Sequence, residues 1–224
     1  MWPQTAHELE GVQRELAAAR PALWTPTAAP LIGACVVRFP RGQAGPGAAG
    51  DRGWAAAAAL KDRRIVAAAT VSGPAGAPYV PGLLALREGP LLEDAVRALD
   101  AMPDVLLVDA TGRDHPRRAG LATHLGAVLD VPTVGVTHRP LAAGGREPAD
   151  DAGSIAPLVL DGERVGAWLR TRRGARAVAV HAGWRTDVEV AVAVALGCTR
   201  GHRTPEPLRH ARRLARLARV NADS

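Results

Sequence analysis

The chain has 224 residues, a net charge of +6 and a pI near 10.7, and with no Ser/Gly-only linker it suits one domain over 1–224 with room for a sizeable core. Lys61 is the only lysine, so arginine carries nearly all the positive charge; that bias either favours phosphate-bearing partners through bidentate guanidinium contacts or reflects GC-rich coding. Two cysteines, Cys35 and Cys198, exclude a disulfide framework and a Cys-x-x-Cys metal site, and no apolar run has the length of a membrane span, so a cytoplasmic monomer with no membrane partner is expected.

Residues 5–20 read as an amphipathic helix, neither a leader nor a membrane span, stopped by Pro21 and Pro26. Three apolar runs follow at 31–39, 54–61 and 64–72, and the short turn at Asp62-Arg63 makes an antiparallel meander of them. The middle run, "WAAAAALK", has the local propensity of a helix, but that turn and the flanking glycine favour a strand. A helix is expected over 82–100, then the buried strand "DVLLVDA" (104–110), a helix over 116–128 and the strand "VPTVGV" (131–136), which together form a right-handed βαβ unit. Residues 156–171 read as a hairpin through Asp161-Gly162 and 175–183 as a further strand. Helices follow at 185–196 and 206–220, the last with an apolar stripe of Leu208, Ala211, Leu214 and Leu217 and its arginines outward. The order describes an α/β fold: a mixed sheet in which a three-strand antiparallel meander precedes a βαβ unit with flanking helices.

Ligands of such open sheets gather at the carboxyl ends of the parallel strands. Asp109 stands at one of these ends, inside "LLVDATGRDHPRRAGLATHLG" (106–126), where an acid, His115, Arg117, Arg118 and His124 crowd around glycines. A lone strand-end aspartate is ordinarily a turn or cap residue. Metal-assisted phosphodiester cleavage asks for more, because carboxylates must converge on cations about 3.5–4 Å apart. Glu88 is the candidate partner, on the helix before the strand and just ahead of a Gly89-Pro90 stop.

Four stretches in order, "PYVPGLLALREGP" (78–90), "PDVLLVDATGRDHPRRAGLATHLG" (103–126), "DVPTVGV" (130–136) and "TPEPLR" (204–209), resemble the endonuclease V family. The resemblance implies a ribonuclease H-like fold and Mg2+- or Mn2+-dependent cleavage of DNA or RNA near deaminated bases such as inosine. It implies that Glu88 and Asp109 are metal ligands, with His115 and His138 beside them in the catalytic set. Tyr79 and Pro81 match the family's strand-separating wedge, and Gly82, Leu84, Gly120 and Leu141 match the pocket for the displaced base. Arg117 and Arg118, read as the start of the next helix, either clamp phosphate or form a solvated surface pair.

The chain also departs from the family pattern. Cys35 stands in Gly33-Ala34-Cys35-Val36, where the family has a metal-binding aspartate, and a buried thiol is a poor magnesium ligand. His138 falls at a lysine position, and Trp184 at a late histidine; Asp187, just beyond Trp184, is either a carboxylate supplied from a shifted position or an exposed helix acid. Two functions follow: a nuclease with a degraded metal site, or a homologue that binds nucleic acid without cutting it. A third, a nucleophilic Cys35, lacks a neighbouring base.

Overall fold

The computed structural model describes residues 2–40 and 47–222. Helix α1 (Ala6–Ala18) begins at Thr5, whose side chain accepts the Glu8 N–H while Glu8 reaches back to the cap, a reciprocal box that satisfies two free donors. Strands β1 (Ile32–Arg38), β2 (Arg52–Lys61) and β3 (Arg64–Pro74) form the expected antiparallel meander. Asp62 and Arg63 turn the β2–β3 hairpin with φ of 47° and 64°, the left-handed pair that matches strand twist.

The alanine run is a strand because it is buried on both faces. Ala56 and Ala58 face one apolar layer, and Ala55, Ala57 and Ala59 the other; such a strand shows no alternation, which is why its sequence resembles a helix.

Helix α2 (Leu84–Arg97) runs straight through Gly89-Pro90 rather than stopping there. Proline deprives Leu86 of its usual amide partner, but the neighbouring Arg87 carbonyl accepts the Gly76 N–H at 3.2 Å and the Trp2 indole packs over Gly89. Strand β4 (Val105–Val108), helix α3 (Leu121–Leu129) and strand β5 (Thr133–Thr137) complete the βαβ unit. Helix α3 starts five residues later than expected. Residues 116–120 are not helical, with a turn at 116–117 and Arg118 at φ 57°, a left-handed conformation that no helix accommodates.

The hairpin β6 (Ile155–Leu160) to β7 (Glu163–Leu169) turns at Asp161-Gly162, and β8 (Val178–Ala182) joins it to β5. The single eight-stranded sheet has the order β3-β2-β1-β4-β5-β8-β7-β6. Helices α4 (Val188–Gly197) and α5 (Glu206–Ala222) cover one face, while α1, α2 and α3 cover the other. In α5 the buried residues include Leu208, Ala211 and Ala215, with Leu214 partly covered; Leu217 is 44% exposed, so the apolar stripe turns away from it sooner than the sequence suggests. No helix among the described residues is long and apolar enough to cross a membrane.

Candidate nucleic-acid groove

Asp109 follows the last residue of β4, between β1 and β5. Asp109 lines two cavities. The smaller, about 150 Å³, is lined by Glu88, Tyr79, Arg38, Val36, Leu84 and Leu92. The larger, about 280 Å³, is lined by Tyr79, Pro81, Gly82, Leu84, His115 and Leu141, with Gln13, Thr137 and Arg139 completing its walls.

The entry to the larger cavity is a tight turn. Leu83 N–H donates to Val80 O at 3.0 Å with Gly82 at φ 81°, a type II geometry that sets proline first and requires glycine second. This turn leaves Tyr79 43% exposed at the rim of both cavities. The Gly82 carbonyl is then fixed by Gln13 Nε2 at 3.1 Å and His115 Nε2 at 3.0 Å. Because His115 Nδ1 accepts the Arg117 N–H at 3.1 Å, its proton belongs on Nε2 and the ring is a neutral clasp between two loops. Burial, more than any neighbour, lowers its pKa.

The opposite wall depends on Asp114, which the sequence reading passed over. Its fully buried carboxylate accepts the N–H groups of Leu141, Ala142 and Ala143 at 2.7, 2.8 and 2.6 Å. The buried His181 sits 3.5 Å away and bonds Thr137 Oγ1 through Nε2 at 2.9 Å. An aspartate between two arginine-bearing turns was the available signal, but sequence cannot show which amides it meets.

Around Asp109 the dominant neighbours are cations. Arg212 Nη2 donates to Oδ1 at 2.7 Å and Arg212 Nε to Oδ2 at 3.2 Å, while Arg38 Nη2 reaches Oδ2 at 3.3 Å. Burial opposes the charge, but Arg212 and then Arg38 outweigh it and hold the carboxyl below its ordinary range. Glu88 behaves oppositely: burial first, then the Asp109 charge, push its pKa up to about 8. The Cys35 carbonyl accepts the Asp109 N–H at 3.3 Å, and burial, Asp109 and Glu88 together keep the Cys35 thiol protonated. His138 is only partly covered, 3.4 Å from Arg212, and that partial burial, then Arg212 and Arg203, lower its pKa.

Other sequence candidates lie elsewhere or act otherwise. Arg117 pairs with Glu10 on α1, and Arg118 donates to Leu160 O at 2.6 Å and pairs with Asp161 and Glu163, so both guanidinium groups brace the fold. Gly120 packs under the Thr111 carbonyl instead of lining the larger cavity. Trp184 lies at the opposite end of β5 from His138, where its backbone N–H donates to Thr133 Oγ1 at 2.9 Å; the expectation that this position stands near Glu88 and Asp109 is therefore corrected. Asp187 caps α4 by accepting Val190 N–H at 2.7 Å and is no replacement ligand.

The acids present do not fit a divalent-metal centre. Among the described residues no three His, Cys, Asp or Glu side chains are grouped to hold a metal ion. Both Asp109 oxygens face guanidinium donors, and the Cys35 thiol retains its proton, whereas a hard cation takes several ionised oxygens.

The sheet order, with an acid at the end of its middle strand and the aromatic-proline turn beside it, is that of a ribonuclease H-like protein with a groove at the carboxyl ends of its parallel strands. Residues 42–213 match the family model of endonuclease V. An endonuclease V of Dehalococcoides mccartyi is 38% identical over 212 residues, covering 94% of this chain and 92% of its own. The crystal structure of endonuclease V from Streptomyces avermitilis superposes with a TM-score of 0.88 at 36% identity, covering 100% of this chain and 96% of that one. The Ciona intestinalis endonuclease V, in complex with a 24mer DNA containing an inosine followed by a ribo-adenosine, shares the fold with a TM-score of 0.80 at 20% identity, over 96% of this chain and 98% of that one. The chain belongs to the endonuclease V family, whose nucleases are metal-dependent.

Proposed function

We propose that this protein binds nucleic-acid strands at a deaminated base, such as inosine, and holds them without the metal-dependent cleavage of its family. The observation that carries this reading is the Arg212 fork on Asp109, joined by Arg38. A guanidinium supplies the positive charge that an acid at this strand end would otherwise take from a cation, but it has no coordination site at which to acidify a water as a metal ion does. The cavity beside Tyr79 supports base binding: it is largely apolar, adjoins Asp109 and is lined by Gly82 and Leu141. Tyr79 offers a ring for stacking, and Pro81 a rigid wedge. The Ciona relative's inosine-containing DNA supports the same lesion class.

A second reading has one observation in its favour. Glu88 and Asp109 share the 150 Å³ cavity, so a single Mg2+ or Mn2+ binding there after Arg212 withdrew would give a weak nuclease. Incubating the protein with inosine-containing single-stranded DNA, duplex DNA and RNA in either metal separates the two. We expect inosine-dependent retention and no cleavage; cleavage above that of a Glu88→Gln, Asp109→Asn control would establish the second reading. Combining Cys35→Asp with Arg212→His, which supplies an oxygen ligand and removes the guanidinium, is expected to bring metal-dependent cutting. A folded double variant that binds no Mn2+ and cuts nothing would sink this account of the missing ligands.

A further inference from the structure

A third cavity, about 470 Å³, opens on the other side of Arg38 and Arg212, and its charged lining is arginine: Arg38, Arg209, Arg212, Arg213, Arg216 and Arg219. Five of the six lie on α5 at spacings of three, one, three and three, which keeps them along one side of the helix. From Arg209 to Arg219 the helix rises about 15 Å. The stripe is therefore linear rather than a point of charge.

Among the described residues, only three of these six cations are paired from within. Arg209 pairs with Glu206, and Arg38 and Arg212 share Asp109. Arg213, Arg216 and Arg219 make no ion pair among the described residues, although Arg219 is only 8% exposed. Its place in the last helical turn offers some compensation from the carbonyl ends. A nearly buried guanidinium without a carboxylate, facing a cavity lined by five others, remains unfavourable unless an anion enters.

We propose that this stripe is a phosphate track that carries the bound strand onward from the base cavity along α5. The proposal rests on the reading of the Asp109 groove as a nucleic-acid site, and continuity supports it: Arg38 and Arg212 line the track and also touch Asp109, which lines the base cavity. A length of about 15 Å spans more than one successive phosphate of a strand. Guanidinium groups bind such oxygens in bidentate fashion without reading sequence.

Arg213 and Arg216 are exposed, so Arg213→Gln, Arg216→Gln leaves the core untouched. Binding of single-stranded DNA with and without inosine is measured against salt concentration for the parent, this variant and the corresponding double lysine variant. The expected result is a salt slope shallower by about 1.4 in the glutamine variant, with the inosine preference unchanged and the slope restored by lysine. An unchanged slope with binding retained overturns the track and leaves the base cavity standing. A shallower slope in a protein with no inosine preference overturns the base reading and leaves the track. Inorganic tripolyphosphate serves as competitor: if the glutamine variant loses tripolyphosphate binding without any change of oligonucleotide slope, the site takes a compact anion and the strand track is wrong.

Discussion

The side chains that determine what this groove can do are not all in its most conspicuous motif. Asp109 at a strand end and the loop carrying Tyr79, Pro81 and Gly82 are legible from residue types and spacing, the loop's role only through the family resemblance; Glu88 is legible as the acid ahead of the strand, although the Gly89-Pro90 stop that singled it out is no stop. Arg212 is not legible, since one arginine among many on a basic helix is marked only by the 2.7 Å bond it makes across the sheet. Asp114 is similarly hidden, and its effect can be measured. Replacing it by alanine leaves three backbone amides without their acceptor, a loss on the order of 3 kcal/mol. We expect Asp114→Ala to melt well below the parent and to lose inosine preference through displacement of Leu141. A variant that keeps both would show that the 141–143 wall is held by something else.

At the level of elements, the strand order and the βαβ unit follow from apolar runs and turn residues, and errors cluster where tertiary contacts override local pattern. The α3 start is one example: the sequence "HPRRAGLATHLG" carries a helical period from Pro116, yet Arg118 is held in a left-handed turn by its reach to the β6–β7 hairpin. Trp184 is another, because a motif match places a residue along the chain and not at an end of the sheet. The glycine that opens α3 serves contact more than turning. A Cβ on Gly120 would lie 2.4 Å from the Thr111 carbonyl, and overpacking of this kind costs about 1–3 kcal/mol. Gly120→Ala is expected to lower the melting temperature by about 2–4 °C for each kcal/mol lost, with weaker base binding because Thr111 lines the cavity. Unchanged melting would mean that the 110–112 segment yields freely.

For the whole molecule, buried titratable groups set a pH window. Burial lowers both His124 and His181 to about 4, so between the ordinary histidine value near 6.5 and about 4 the unfolded chain takes up protons that the native one refuses. Their contribution is complete above about 6.5 and is lost as the pH falls. Glu88 acts in the other direction: with its pKa raised to about 8, it holds a proton that the unfolded chain releases from about 4.5 upward, so its penalty grows as the pH rises to 8. We expect stability to fall from pH 6.5 towards 4, and Glu88→Gln to gain on the parent progressively between pH 5 and 8. A constant difference in melting temperature across that range would place an ionised Glu88 in the native protein.

The alanine strand beneath α5 acts as a shim between sheet and helix. Ala56 and Ala58 present single methyl groups to the layer that contains Leu208, Ala211 and Ala215, so the helix sits low over β1 and β2. That thinness sets the distance a guanidinium must span to close on Asp109. A leucine at either alanine would lift α5 away from the sheet and draw Arg212 off its carboxylate. The charge state at the groove is thus tied to methyl-sized packing in a strand that carries no functional group.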